Sequence, residues 1–482
     1  MSILVVDVGT SSVRASIIGR DGTVGRVHRR PMPPTSPMPM FVEFDPAAMA
    51  AAALDVARDA IADSGAAVDA VGIANQRAST IVWDRQTGKP VGPGVSWQDV
   101  RTAGMCLALQ GQGLRLAPNQ SATKLAFLLD MADADRSRDL CFGTVDTWIA
   151  WTLSEGTAHV TDASNAAVTG LVRLDASAWD PAVCDVLRIP TSMLPTMVDS
   201  SAVVGTATAL DGAPPIGGIA GDQQASLLGQ GCTQPGLAKL TFGTGGMLDL
   251  HLGPDRPPFP RLGRHGTFPV VAWRLGGSIT WGLEAAMLSA GQAVAWLCND
   301  LGLIDDPAQS ADVAARCRDS GGVCFVPALN GLGAPVWDFG ARGTLLGLAP
   351  GTGRPEIVRA VLEGVAHRAV DLVEAAEADA GVSVDTIRVD GGMTANPVFL
   401  ESLANAAQRP VAVSPVREAT ALGAAFLAGL AVGTWADLDE CAATWSPAEI
   451  VEPRRRLDRD RWREARERSR AWVPELTALE FF

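Results

Sequence analysis

Tyrosine is absent from all 482 residues, although the chain carries 13 Trp and 13 Phe, so any aromatic wall of a binding site here is an indole or a phenyl ring. The eight cysteines, at 106, 141, 184, 232, 298, 317, 324 and 441, include no CxxC pair. Scattered in this way they suit free thiols in a reducing compartment and not a disulfide framework. The five histidines, at 28, 159, 251, 265 and 367, show no HxH or HxxxH spacing, which argues against a zinc site. No stretch approaches the ~18 uncharged apolar residues of a membrane span. Met1 runs straight into Ile3-Leu4-Val5-Val6 with no basic segment and no small-residue cleavage site, so no signal peptide is read and a cytoplasmic location is expected. Positive charge is in deficit: 39 Lys and Arg stand against 53 Asp and Glu, a net charge of -14. Nucleic acid and anionic lipid are therefore not expected partners, because phosphate contacts need clustered cations. Neither GxxxxGK[ST] nor GxGxxG occurs, which removes the P-loop and the dinucleotide fingerprint.

What is present is a hydrophobic fraction of 47% with only 19% charged residues, a globular balance that excludes intrinsic disorder. At roughly 150 residues per domain the length gives about three units, and two large domains fit equally well. Residues 3–18 read as two apolar strands joined by Gly9-Thr10-Ser11-Ser12, with Asp7 at the end of the first arm. Asp45-Pro46 reads as an N-cap with Pro at N1, opening an Ala-rich helix to about residue 64. Strands are predicted over 71–74 and 78–83, around Asn75-Gln76-Arg77. A Gly-rich strand over 216–220 runs into Gly221-Asp222-Gln223-Gln224 and a helix. The opening unit is then repeated: a strand over 237–242, the turn Gly243-Thr244-Gly245-Gly246, and a return strand over 247–252. This duplication places a boundary near residue 230, giving domains 1–231 and 232–482. Residues 281–301 and 355–380 carry helical patterns, the second with Gly381 just past its end. Ile387 to Gly392 reads as a strand entering a Gly turn, and 419–431 as a helix. The Arg-, Asp- and Glu-dense segment 454–470 reads as a solvated helix with i,i+4 pairs.

The two Gly-Thr turns offer what polyphosphate needs: close backbone approach, successive N–H donors and hydroxyls. Each alone is more simply a hairpin turn; two copies, one per half, favour phosphate. Asp7 is placed to hold Mg²⁺ through water. Asp222 reads either as an N-cap or as the base that takes a proton from an attacking hydroxyl in phosphoryl transfer. Arg77 is either an ion-pair Arg or a bridge to substrate hydroxyls, and Trp97 either core or the wall of a sugar pocket. Asp390-Gly391-Gly392 with Asn396 reads as a loop or as a nucleoside site.

Together these residues resemble the FGGY carbohydrate kinases and, within that family, are most similar to the glycerol kinases. The resemblance runs through Asp7-Val8-Gly9-Thr10-Ser11, Phe41-Val42-Glu43-Phe44-Asp45-Pro46, Gly72-Ile73-Ala74-Asn75-Gln76-Arg77, Phe142-Gly143-Thr144-Val145-Asp146-Thr147-Trp148, Gly221-Asp222-Gln223-Gln224, Gly331-Leu332-Gly333-Ala334-Pro335, Val389-Asp390-Gly391-Gly392 and Thr420-Ala421-Leu422-Gly423-Ala424. It implies an α/β chain of two actin-like (ribonuclease H-like) domains, each a mixed sheet flanked by helices, with ATP and Mg²⁺ in the cleft between them and transfer to a primary hydroxyl of a small polyol or sugar. By the same resemblance Asp222 would be the general base. Arg77, Trp97 and Gln223 would contact substrate, Thr10, Ser11, Ser12 and Thr244 would line the phosphates, and Gly291, Gly392 and Asn396 would take the nucleoside. A homodimer or homotetramer is left open, as is an actin-like ATPase that is no kinase.

Three departures bear on the substrate. Where glycerol kinases follow the Arg with a Glu, this chain has Ala78; a substrate-contacting Tyr falls on Asn119, and a pocket Phe on Met247. Losing a charged acceptor costs roughly 1.5–3 kcal/mol per hydrogen bond, about 10- to 150-fold in affinity. A polyol or ketose larger than glycerol is the expected substrate, with glycerol itself the alternative. Asp211-Gly212-Ala213-Pro214-Pro215 also lacks the Arg-ending loop of glycerol kinases inhibited by a sugar bisphosphate, so no such inhibition is expected.

Overall fold

The computed structural model describes residues 1–478. Its two large mixed sheets share one strand order. In the first, Ser2–Val8 pairs antiparallel with Ser12–Gly19, which pairs with His28–Pro31. On its other side Ser2–Val8 runs parallel to Ala70–Asn75, then come Pro215–Gly221, parallel, and Ser201–Thr206, antiparallel. In the second, Ala238–Phe242 pairs antiparallel with Gly246–Gly253 and that with Ser278–Met287. On the other side Ala238–Phe242 runs parallel to Ile387–Gly391, followed by Val411–Val413, parallel, and Glu449–Val451, antiparallel; Phe268–Leu275 adds an outer strand. The duplicated strand–turn–strand unit of the sequence is thus the nucleus of two sheets of one topology.

Both faces of the first sheet are covered, which is why Ile3 to Val6 of its central strand form an unbroken apolar run. Leu4, Val6 and Val8 pack on Met49, Ala53, Val56 and Ala57 of the Pro46–Ser64 helix, started as predicted by Asp45, whose Oδ1 accepts from the N–H groups of Ala47 and Ala48. Ile3 and Val5 share the opposite core with Ala225 and Leu228 of the Asp222–Gly229 helix and with Ala424, Ala425 and Phe426 of the Ala419–Val432 helix. The second of these helices is late in sequence yet lies on the first sheet. The two helices cross so closely that a Cβ on Gly423 would stand 1.8 Å from the Ala225 carbonyl oxygen, and one on Gly229 1.9 Å from that of Ala419. Gly423→Ala is expected to force them apart at a cost of about 1–3 kcal/mol, read as a lowered melting temperature; an unchanged Tm would refute the crossing.

The second sheet is apolar on one face only. Leu240, Leu248, Leu250, Leu283 and Val389 pack against the Arg354–Ala380 helix, while the alternate residues Lys239, Asp249, Glu284 and Asp390 point the other way, towards the Asp222–Gly229 helix. There Gln230 donates to Asp390 at 2.6 Å and Ser226 at 3.3 Å.

Two expectations are corrected. Residues 281–301 are not one helix: Ser278–Met287 is a strand and only Gly291–Asn299 is helical. Leu, Glu, Ala and Met favour helices, but alternating burial of Leu283, Ala285 and Met287 and pairing on both edges override that propensity. The Arg459–Arg468 helix is not merely solvated, because Arg459, Trp462 and Arg466 reach the fully buried Asp371. A third segment shifts: the strand expected at 78–83 begins only at Ile81, because Ala78 is in the left-handed region at φ 59°. All eight cysteines are free thiols. Among the described residues no helix is long and apolar enough to cross a membrane.

Candidate active site

The two parallel strands Ala70–Asn75 and Pro215–Gly221 end side by side, with Asn75 in register with Gly221. Sites in such sheets form beyond the carboxyl ends of the strands, where the chain must turn away and leaves room. Arg77 and Asp222 emerge there, Arg77 Nε 3.5 Å from Asp222 Oδ1. Asp222 opens its helix but is no N-cap: that position is Gly221, and the Asp222 carboxylate accepts only from the next N–H, that of Gln223, at 2.8 Å. The side chain is 31% exposed. Burial raises its pKa above the ordinary carboxylate value, Asp249 adds to the rise, and Arg77 and Lys239 oppose it.

The second sheet completes this cluster with residues the sequence reading did not single out. Glu284 Oε2 lies 2.7 Å from Arg77 Nη2. Lys239 Nζ, fully buried, donates to Gln223 Oε1 at 2.7 Å and Thr241 Oγ1 at 3.0 Å and pairs with Asp249 at 2.8 Å. With its Oε1 engaged, Gln223 is left with its amide N–H groups to offer. Burial disfavours the charge on Arg77, yet Glu284, Asp222 and Asp249 outweigh it and hold the guanidinium firmly protonated. The signal for this polar face lay in Leu248-Asp249-Leu250-His251-Leu252, whose strict alternation marks a strand with one polar side. Met247 is half-buried and two residues from Asp249 on that same face.

Trp97 is tied to the first turn from both ends. Its Nε1 donates to Thr10 Oγ1 at 3.0 Å. Its backbone N–H donates to Ser79 Oγ, which donates to Gln76 Oε1, and Gln76 Nε2 donates to the Gly9 carbonyl. Ser11 is exposed at the tip of that turn, whereas Ser12 is buried at the start of the return strand. Ala78 and Asn119 are brought near Trp97 by their loops. Ser121 Oγ donates to the Ala78 carbonyl at 3.0 Å, and Lys124 Nζ donates to the carbonyls of Ser96 and Asn119. Burial brings the Lys124 pKa down to about 7. The Asn119 side chain is exposed.

The second turn is exposed at Gly243 and Thr244. Its carbonyls accept from the N–H groups of Ala290, Gly291 and Gln292. Gly291, expected at the nucleoside, therefore sits against this turn, where a Cβ would meet the Gly243 oxygen at 2.6 Å. Gly392 is exposed with open space beside its Cα. Asn396 is less free than expected: its Oδ1 caps the Pro397–Ala407 helix at Phe399 N, and its Nδ2 donates to Ser310.

Asp7, 2% exposed, accepts from Arg14 at 2.6 Å through Oδ2, while Oδ1 has no protein partner. An unpartnered buried carboxylate oxygen beside a turn of N–H groups and hydroxyls suits Mg²⁺ carried on phosphates, which takes one or two carboxylates plus water. Among the described residues no cluster of three or more His, Cys, Asp or Glu forms a protein-only metal cage.

Two mixed sheets of one topology, each nucleated by the same strand–turn–strand unit and flanked by helices, define a two-domain α/β fold. Residues 2–229 match the N-terminal domain, and residues 238–432 the C-terminal domain, of the FGGY family of carbohydrate kinases. The chain belongs to that family, and its reaction is the ATP-dependent phosphorylation of a polyol or sugar. A glycerol kinase from Aromatoleum aromaticum is 42% identical over 98% of this chain and 99% of its own length, and one from Trichlorobacter lovleyi 43% identical over 98% and 99%. The solved structure of Plasmodium falciparum glycerol kinase with ADP matches with a TM-score of 0.89 at 26% identity, covering 99% of this chain and 98% of that one. A ligand-bound xylulose kinase from Lactobacillus acidophilus shares the fold, with a TM-score of 0.83 at 21% identity over 98% and 97% of the two chains.

Proposed function

We propose that Asp222 is the general base of this kinase, acting on a primary hydroxyl held by Arg77, Trp97 and Gln223 in a cleft between domains 1–231 and 232–482. The observation that carries this reading is the Asp222–Arg77 pair at the ends of two parallel strands, met from the opposite sheet by Glu284 and Lys239. The substrate oxygen attacks the γ-phosphorus of ATP, the bond from phosphorus to the ADP oxygen breaks, and the hydroxyl proton passes to the Asp222 carboxylate. A loose transition state asks for modest basicity, so position and charge matter most. Arg77 places fixed positive charge beside the reacting oxygens, and the N–H groups and hydroxyls at Thr10, Ser11 and Thr244 face the phosphates. Asp7 would hold Mg²⁺ through its free oxygen, and the ion would supply charge neutralisation on the phosphates. Gly392 would give the nucleoside a flat surface, and closure of the two sheets on substrate would keep water out.

The substrate reading is a polyol or ketose larger than glycerol. Ala78, directly after Arg77, offers a methyl group where, by the resemblance, glycerol kinases have a carboxylate acceptor, and Asn119 and Met247 stand where those kinases would have a Tyr and a Phe. A second reading, glycerol itself, is favoured by relatives named glycerol kinase at 42–43% identity. An ADP-release assay over C3–C7 polyols, aldoses and ketoses separates them. A C4–C6 compound is expected to exceed glycerol in kcat/KM; glycerol as best substrate, above roughly 10⁴ M⁻¹s⁻¹, would establish the second reading.

A further inference from the structure

The strand ends that deliver Arg77 and Asp222 are both gripped by Thr161-Asp162-Ala163-Ser164-Asn165, at the start of the Ala163–Ala167 helix. Ser164 Oγ accepts from the backbone N–H of Gly221, the residue before Asp222, at 3.1 Å. The carboxamides of Asn165 and Asn75 exchange two hydrogen bonds, 2.8 and 3.1 Å, and Asn75 Nδ2 also donates to the Gln76 carbonyl, next to Arg77, at 2.9 Å.

Asp162 keys this arrangement. Its carboxylate accepts from the N–H and hydroxyl of Ser164, the N–H and Nδ2 of Asn165, and the Ser200 hydroxyl, all within 2.7–3.0 Å. Behind it Asp146 accepts from Thr161 Oγ1 at 2.7 Å and from Thr144 Oγ1. Asn75, Asp146, Asp162, Ser164 and Asn165 are all 0% exposed. On its apolar side Ala163 packs with Val271 and Trp281 of the second sheet. A buried network with every member bonded is rigid. Two of its outgoing bonds end just before Arg77 and Asp222, and a third route leaves through Ser200, whose Oγ accepts from the Arg274 N–H of the second sheet at 3.1 Å.

From this juxtaposition we infer that Ser164 and Asn165, oriented by Asp162, are positioning residues that fix the Asp222 carboxylate relative to Arg77 for phosphoryl transfer. The inference rests on the assignment of Asp222 as base. Misplacement of a reacting group by about 1 Å costs on the order of 100-fold in rate. Ser164→Ala removes one oxygen and releases the Gly221 N–H.

The test measures kcat, KM for ATP and melting temperature for Ser164→Ala, Asp222→Asn and the double variant. Ser164→Ala is expected to lose roughly 10- to 100-fold in kcat with KM for ATP within about twofold and the fold retained. In the Asp222→Asn background the same change is expected to cost nothing further, because a residue acting only through Asp222 has nothing left to position. Wild-type kcat in Ser164→Ala, or an equal loss with and without the Asp222 carboxylate, overturns the inference. Full turnover in Asp222→Asn overturns the assignment of the base instead.

Discussion

Asp222→Asn is expected to lower kcat by about 10²- to 10⁴-fold, the usual contribution of a positioned general base, while ATP binding stays within a few-fold of the parent. Asparagine keeps the shape and the contact with the Gln223 N–H but cannot accept the hydroxyl proton. The base works only when ionised, so kcat/KM of the parent should fall as the pH drops through the Asp222 pKa. Burial holds that pKa above the ordinary ~3.9, so the acid limb should lie above that value, and the part of it owed to Asp222 should be missing in the variant, while Asp7, raised to about 6, keeps its own. ADP release measured from about pH 4 to pH 9, with a nucleotide-binding titration alongside, checks both points. Parent-like turnover in the variant would end the assignment.

Asp371→Ala is expected to cost about 3–5 kcal/mol of stability without touching the site. This carboxylate, 0% exposed on its side chain, lies 2.8 Å from Arg368, 2.7 Å from Arg459 and 3.0 Å from Arg466, and accepts from Trp462 Nε1 at 3.1 Å. Removing it leaves three guanidinium groups crowded together with their common partner gone. Burial alone would raise its pKa, but the three arginines outweigh it and hold the group at about 2. A depressed carboxylate stabilises the fold fully above its unfolded value of ~3.9, and the benefit is lost as pH falls towards about 2. Calorimetry at neutral pH should show Tm lower by roughly 6–20 °C, and a Tm within about 2 °C of the parent would refute the account.

Local chemistry made much of the architecture readable. Asp45-Pro46 announced a helix, Gly-Thr turns announced tight reversals between apolar strands, and the recurrence of that unit announced two halves. These signals are short-range, and the fold obeys them. Residues 281–287 misled because helix-favouring side chains occupy a strand held on both edges. The arginines of the 459–468 helix misled because a charge run looks alike whether it meets water or a buried acid such as Asp371.

The site divided in the same way. Asp222, Arg77, Trp97 and the two turns sit at strand ends and reversals, where a sequence shows functional residues most plainly. Lys239, Asp249 and Glu284 lie within strands, and their role depends on which face of the second sheet turns towards the Asp222–Gly229 helix. Gln76, Ser79, Ser164 and Asn165 are small polar residues whose importance comes entirely from their partners, up to 90 positions away for the Asn75–Asn165 pair. The sequence by itself determined the family and the repeated strand–turn–strand unit, because these reside in residue identity and order. Tertiary structure alone decided which charges meet Arg77 and what holds Asp222 in place, because hydrogen bonds and ion pairs act over a few ångströms that only folding brings about.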